Sequence, residues 1–153
     1  MTRRVLYNYI LSSCDYNDEQ IIQIYGKAIQ IIKLFFEDRD YGAQHINLYS
    51  WYWLIAKACA KMNDTDAVIE NLTAAAEHAL TYDLLEEDVP HTSLLFNMLK
   101  IQRPGKTYMA NESQTLLKRM TDAHFDFCRD DERFAQIVED LKKVAVIGDK
   151  GSA

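Results

Sequence analysis

The chain has 153 residues, 48% of them hydrophobic and 26% charged, which suits one domain with a buried core and excludes wholesale disorder. Five glycines and two prolines are few for this length and favour long helices over a turn-rich β architecture. The net charge of −6 makes the chain by itself a poor binder of nucleic-acid phosphates. No apolar run reaches the ~18 residues that span a bilayer, and the N-terminus is too short and polar for a signal peptide.

The three cysteines, Cys14, Cys59 and Cys128, are odd in number and far apart. They form no CxxC pair, and no Cys–His spacing suits zinc. We therefore expect free thiols in a cytoplasmic protein, with Cys59 acting as a small buried hydrophobe.

The first clear helix is predicted over residues 17–36. Asn17 can cap it with Gln20 as the capping-box partner, and apolar residues then recur every three or four positions. The polar stretch that follows ends in Gly42, which is typical of a helix stop. A weaker helix is predicted before it, over residues 3–12.

The next two helices are predicted to form the centre of the domain. Residues 45–62, with two tryptophans, are apolar almost all round, which is typical of a helix enclosed by its neighbours. A turn with capping residues at 63–66 leads into a helix over 66–82. The inner stripe of that helix is predicted to contain Val68, Leu72, Ala75, Ala76, Ala79 and Leu80.

The last third of the chain combines apolar and basic segments with two predicted helices. An apolar segment at 92–101 runs into a basic, glycine-containing loop at 100–106. Asn111 can cap a short helix with Gln114 at its third position, and Asp130 is predicted to start the last helix. We expect that helix to turn Phe134, Ile137, Val138 and Leu141 inward. Residues 148–153 are predicted to be a flexible tail, which leaves residues 1–147 as one domain.

Helix pairs joined by short turns call for a search for repeats. The tetratricopeptide pattern fits residues 49–82 when its fourth position is placed on Tyr52. Its further positions then fall on Ile55, Ala56, Cys59, Val68, Leu72 and Ala75. A weaker match uses Ile21, Tyr25 and Ala28, and the uneven spacing between the two units breaks the regular 34-residue period. The predicted fold is all-α, a tetratricopeptide-like helical repeat of stacked antiparallel helix pairs.

Several segments follow one another in a particular order: residues 36–42, the alanine-rich helix, Tyr82-Asp83, residues 91–95 and residues 125–134. In this order the sequence resembles the C-terminal tetratricopeptide-like domain of bacterial Cro/repressor-type helix-turn-helix regulators, over residues 17–144. The resemblance implies a regulatory or sensor domain that binds a peptide, a small ligand or a subunit. It also implies a homodimer, for which the second or the last helix is the predicted interface.

In those regulators a small DNA-binding domain precedes the helical domain. The sixteen residues before Asn17 are too few for one, so any DNA contact is expected from a domain outside this chain. The alternative is a stand-alone adaptor that binds one protein partner.

No catalytic signature occurs, and we expect neither an enzyme nor a bound cofactor or metal. His124, Asp126 and Cys128 lie close in sequence, but we interpret this stretch as packing, with Phe125 against Phe134 and Arg129 paired with an acid. The acidic run Glu86-Glu87-Asp88 is interpreted as solvated surface, because it lacks the spacing of a calcium loop. Charge is uneven: residues 62–99 carry eight acids and no Lys or Arg.

The candidate site lies on the second helix. In tetratricopeptide domains the first helix of each pair lines a concave groove, which the alignment assigns here to Ser50, Trp53, Lys57 and Lys61. A tryptophan followed by two lysines at four-residue spacing can stack on a ligand and bind a carboxylate or phosphate. The alternative is a core tryptophan beside two solvated lysines.

Overall fold

The computed structural model describes residues 16–36, 39–102 and 111–149, with side chains as far as Ala145. In these ranges five α-helices form: α1 Asp18–Phe35, α2 His45–Lys61, α3 Thr65–Asp83, α4 Glu112–Arg119 and α5 Glu132–Asp149. Two 3-10 turns, Gly42–Gln44 and Ala123–Cys128, precede α2 and α5. The described part contains no strand and a single isolated bridge between Pro90 and Lys100. The all-α prediction is confirmed there, while the predicted helix at 3–12 and Cys14 lie outside it.

α1, α3 and α4 begin where polar side chains satisfy their first backbone N–H groups, whereas α2 follows a 3-10 turn and has no side-chain cap. Asn17 and Gln20 form the predicted capping box, with backbone-to-side-chain distances of 2.9 and 3.0 Å. Asp64 caps α3, and Asn111 caps α4 by accepting from Gln114 N–H at 2.8 Å. The last helix begins two residues later than predicted, and it continues through residues 148 and 149 of the predicted tail.

The predicted role of Gly42 as a helix stop is wrong. α1 ends at Phe35, and the N–H of the capping residue Phe36 bonds to Ile32 O, while Gly42 opens the 3-10 turn before α2. Gly42 has a φ of +49°, and a Cβ there would lie 2.6 Å from Cε1 of His91. Glycine is therefore required by the close approach of His91 and by the left-handed backbone.

α1, α2 and α3 run antiparallel to one another, with α2 in the middle. Asp18 at the start of α1 contacts Lys61 at the end of α2, and His45 at the start of α2 contacts His78 near the end of α3. α2 also packs against both 3-10 turns, so its predicted central position is confirmed. This enclosure leaves α2 little free surface for the predicted dimer interface.

The core lies along both faces of α2. Leu48, Val68, Leu72, Ala75 and Ala79 are completely buried there, and Cys59 is buried as predicted. Buried alanines on α3 let it approach α2 closely. α4 and α5 form a second antiparallel pair against α3, in which the predicted residues Phe134, Ile137 and Leu141 are buried.

Residues 91–99 form turns instead of a helix, although they are rich in leucine. We call them the turn segment. A bridge between Pro90 and Lys100 closes its base, with His91 N–H donating to Leu99 O at 3.0 Å. Most of its apolar side chains point into solvent. The basic loop that follows lies mainly outside the described residues.

Candidate functional site

The predicted groove residues share one side of α2, which we call the Trp53 face: Ser50, Trp53, Lys57 and Lys61. Ser50, Trp53 and Lys57 are half-buried and Lys61 is exposed. The Lys57 ammonium lies 5.7 Å from the centroid of the Trp53 ring, within the range of a cation–π contact. The structure thus brings the tryptophan and its neighbouring lysine together at the edge of the core.

Both lysines of the Trp53 face already contact a carboxylate. Lys57 Nζ lies 2.9 Å from Asp122 Oδ2, and Lys61 Nζ lies 2.7 Å from Asp18 Oδ1. Hydrogen bonds from Lys57 and His124 hold the pKa of Asp122 well below its usual range. An anionic ligand at this face would have to share or displace these two carboxylates.

Arg119, at the end of α4, is a member of this site that the sequence did not reveal. Its guanidinium carbon lies 4.7 Å from the Trp53 ring centroid, and its Nη1 donates to Tyr49 Oη at 2.6 Å. Burial raises the pKa of the Tyr49 hydroxyl above its usual range. Within the described residues, the buried Nε1 of Trp53 has no hydrogen-bond partner. The face therefore combines an aromatic ring, an unused N–H donor and cations from two helices.

A second cluster joins α2 to α3 through two buried histidines, His45 and His78, which we call the imidazole pair. Their Nδ1 atoms lie 2.9 Å apart. One Nδ1 must donate and the other must accept, so the two rings hold different tautomers. Burial lowers the pKa of His45 to about 4 and that of His78 to about 3, with further lowering of the latter by His45.

Aromatic rings surround the imidazole pair and connect it to the turn segment. Tyr41 meets both histidines edge-on, and its ring also contacts Phe36. Phe36 in turn stacks on Phe96 of the turn segment, with centroids 4.6 Å apart. The cluster is therefore continuous from the α2/α3 pair to the surface.

Asp40 holds the start of the turn segment in place. Its Oδ2 accepts hydrogen bonds from the N–H groups of Thr92 and Ser93, at 2.6 and 3.0 Å, and lies 3.0 Å from His91 Nδ1. Burial raises the pKa of this carboxyl, but the two backbone donors and His91 outweigh it and leave the pKa lowered. Asp40 is thus an ionised anchor for the turn.

The stretch around Cys128 is structural, as predicted. The rings of Phe125 and Phe134 pack with centroids 6.5 Å apart, and Arg129 Nε donates to Asp126 at 2.6 Å. Cys128 is buried, burial raises the pKa of its thiol, and its Sγ donates to the carbonyl of Phe125. Its environment is the opposite of the one that activates a cysteine nucleophile.

The described residues contain no group of three or more His, Cys, Asp or Glu side chains placed to hold a metal ion. None of their helices combines the length and apolar character needed to cross a membrane.

No protein-family model, curated protein or solved structure matches this chain. The resemblance to helix-turn-helix regulators therefore stays a prediction from the sequence motifs.

Proposed function

We propose that this chain is the regulatory or sensor domain of a bacterial transcription regulator, with tetratricopeptide-like stacked helix pairs. It would act in the cytoplasm and bind a peptide, a small ligand or a subunit, without being an enzyme. A separate domain outside this chain would contact DNA. The antiparallel pairing of α1, α2 and α3, with buried alanines between α2 and α3, supports the stacked-pair architecture.

The observation that carries ligand binding is the Trp53 face. Its ring and the nearby Lys57 and Arg119 suit a ligand with a carboxylate or phosphate. A ligand carboxylate that replaced Asp122 at Lys57 would remove the ion pair that joins the 3-10 turn to α2. One that replaced Asp18 at Lys61 would remove the ion pair that joins the start of α1 to the end of α2. Binding would thus change how the outer helices are held against α2, which can bias a two-state arrangement.

Binding of a library of short acidic peptides to the intact chain tests this site. The double variant Lys57→Ala/Lys61→Ala should weaken binding at least about tenfold, since each lost charge-assisted hydrogen bond has that effect. The matched control, Lys27→Ala/Lys142→Ala, removes two exposed lysines from elsewhere and should bind like the wild type. Equal loss in both variants would show only a general charge effect and would contradict the site.

The link to transcription is tested separately, by the intact mass of the native protein in extracts of its source. A mass several kilodaltons above 17.7 kDa, with N-terminal peptides that encode a helix-turn-helix, would support the regulator. A mass of 17.7 kDa would contradict it and favour the stand-alone adaptor.

A further inference from the structure

One of the protein's own carboxylates pairs with a cation of the Trp53 face. Asp122 caps the second 3-10 turn, and its Oδ2 lies 2.9 Å from Nζ of Lys57. Its Oδ1 accepts a hydrogen bond from the backbone N–H of His124 at 3.1 Å and also contacts Nδ1 of that ring. The side chains of Lys57 and Asp122 are 30% and 28% exposed, so a ligand can reach this pair from solvent.

Arg119 brings a second cation to the same ring. Its guanidinium carbon lies 4.7 Å from the Trp53 centroid, and its carbonyl accepts from the N–H of Asp122 at 3.2 Å. The arginine and the acid therefore belong to one turn. Within the described part of the chain, Arg119 donates one side-chain hydrogen bond, from Nη1 to Tyr49. Its Nε and Nη2 are left as a pair of donors, which is the arrangement that binds the two oxygens of a carboxylate.

The charges around the Trp53 face favour a carboxylate over a phosphate as the bound group. Asp122 and Asp18 already pair with the two lysines of the face, and Glu112 interacts electrostatically with Arg119. A phosphate monoester carries a charge of about −1.5 to −2, so it is repelled by these acids more strongly than a carboxylate with its single charge. The group that Lys57 contacts in the structure is itself a carboxylate.

From these contacts we propose that Asp122 competes with the ligand of the Trp53 face. The group that displaces it is a carboxylate of a peptide, which then contacts Lys57 and Arg119. This inference rests on the proposed ligand site and adds the chemical group that binds and the residue that opposes binding. Because Asp122 is tethered beside Lys57, its effective concentration is on the order of millimolar. A ligand with further contacts, such as a peptide, can overcome this competition.

Calorimetric titration of the full chain with the acidic peptides, screened on the wild type and on Asp122→Asn, measures the competition. Asp122→Asn keeps an oxygen for the His124 N–H and removes the charge next to Lys57. It should lower the peptide Kd about tenfold, because one competing charge-assisted contact is lost. Asp126→Asn removes the same charge from the same 3-10 turn, where Asp126 pairs with Arg129, and should bind like the wild type. Circular dichroism confirms that each variant is folded.

Two further titrations test the bound group and its second cation. The same peptide with phosphoserine in place of its binding acid should bind about fivefold more weakly, since it adds negative charge among acids. Arg119→Lys, made in the Asp122→Asn background, keeps the charge near Trp53 but loses the planar pair of donors. It should raise the Kd of the carboxylate peptide about tenfold.

The outcomes separate this inference from the ligand site on which it rests. Peptide binding that requires Lys57 but is unchanged in Asp122→Asn overturns the competition and leaves the site standing. Equal gains in Asp122→Asn and Asp126→Asn show a general charge effect and overturn it as well. Tighter binding of the phosphoserine peptide, or full binding by Arg119→Lys, overturns the carboxylate assignment. If no acidic peptide binds either the wild type or Asp122→Asn, the proposed ligand site itself fails.

Discussion

The imidazole pair should make the stability of this protein fall steeply as the pH drops below neutral. Both histidines are neutral when folded, because burial lowers their pKa values to about 4 and about 3. In the unfolded chain an ordinary histidine takes up a proton near pH 6.5. Below that pH the unfolded state binds more protons, so the free energy of unfolding decreases as the pH falls.

The size of this effect follows from the proton linkage. A histidine that stays neutral when folded but titrates normally when unfolded lowers the free energy of unfolding by about 2 kcal/mol between pH 7 and pH 5. The two buried histidines together cost about 4 kcal/mol, a large fraction of the stability of a domain this size. Below pH 5 the folded chain begins to protonate too, so the decline becomes less steep.

Urea unfolding at pH 7, 6 and 5, followed by tryptophan fluorescence, measures this dependence. The double variant His45→Asn/His78→Asn keeps polar atoms near the two Nδ1 positions but cannot titrate. Between pH 7 and pH 5, the free energy of unfolding of this variant should fall by about 4 kcal/mol less than that of the wild type. Asp40, Lys33 and Arg39, the charged neighbours of the pair, stay in place, so the difference isolates the imidazoles.

Tyr52→Phe is the matched control. Its ring stacks on His78 and its hydroxyl accepts from Lys33, and the substitution leaves both imidazoles of the pair in place. It should shift stability equally at every pH. If the wild type and the double variant lose the same free energy between pH 7 and pH 5, the two buried histidines are not neutral in the folded chain and the reasoning fails.

Two further predictions concern packing and capping, and both are measured by urea unfolding at pH 7. Leu72→Ala should lower the free energy of unfolding by about 3 kcal/mol, because Leu72 is fully buried. Leu84→Ala is the control at an exposed leucine and should lower it by under about 0.5 kcal/mol. Similar losses in the two variants would place Leu72 outside the core. Asp83→Ala should cost about 2 kcal/mol, since this carboxylate accepts from the N–H groups of Glu112 and Ser113, both at 2.8 Å. Unchanged hydrogen exchange at those two amides would contradict this anchoring of α4.

The features predicted best from the sequence are those that depend on residues close together in the chain, such as helix starts and helix faces. Asn17 with Gln20 and Asn111 with Gln114 form their capping contacts within three residues, so the starts of α1 and α4 could be read directly. α2 was predicted as central because it lacks a polar face, and in the structure α1, α3 and both 3-10 turns pack around it. The stripe around Leu72 follows from helical periodicity alone.

The candidate site could be predicted only in part, because its remaining members come from distant positions. Trp53 and Lys57 share a helix face and were identified by their spacing. Their partners Arg119 and Asp122 are more than sixty residues away, and no local pattern says which side chains will meet them. The imidazole pair is likewise made by two helices, and its members are 33 positions apart in the sequence.

The turn segment shows why an apolar composition does not fix burial. Residues 91–99 contain enough leucine to suggest core, but their backbone conformation is set by polar contacts. Asp40 holds Thr92 and Ser93, Ser93 is buried, and the half-buried Phe96 stacks on Phe36. With these contacts made, Leu94 and Met98 must point outward. The hydrophobic effect still disfavours that exposure, so the polar contacts of the backbone outweigh it here.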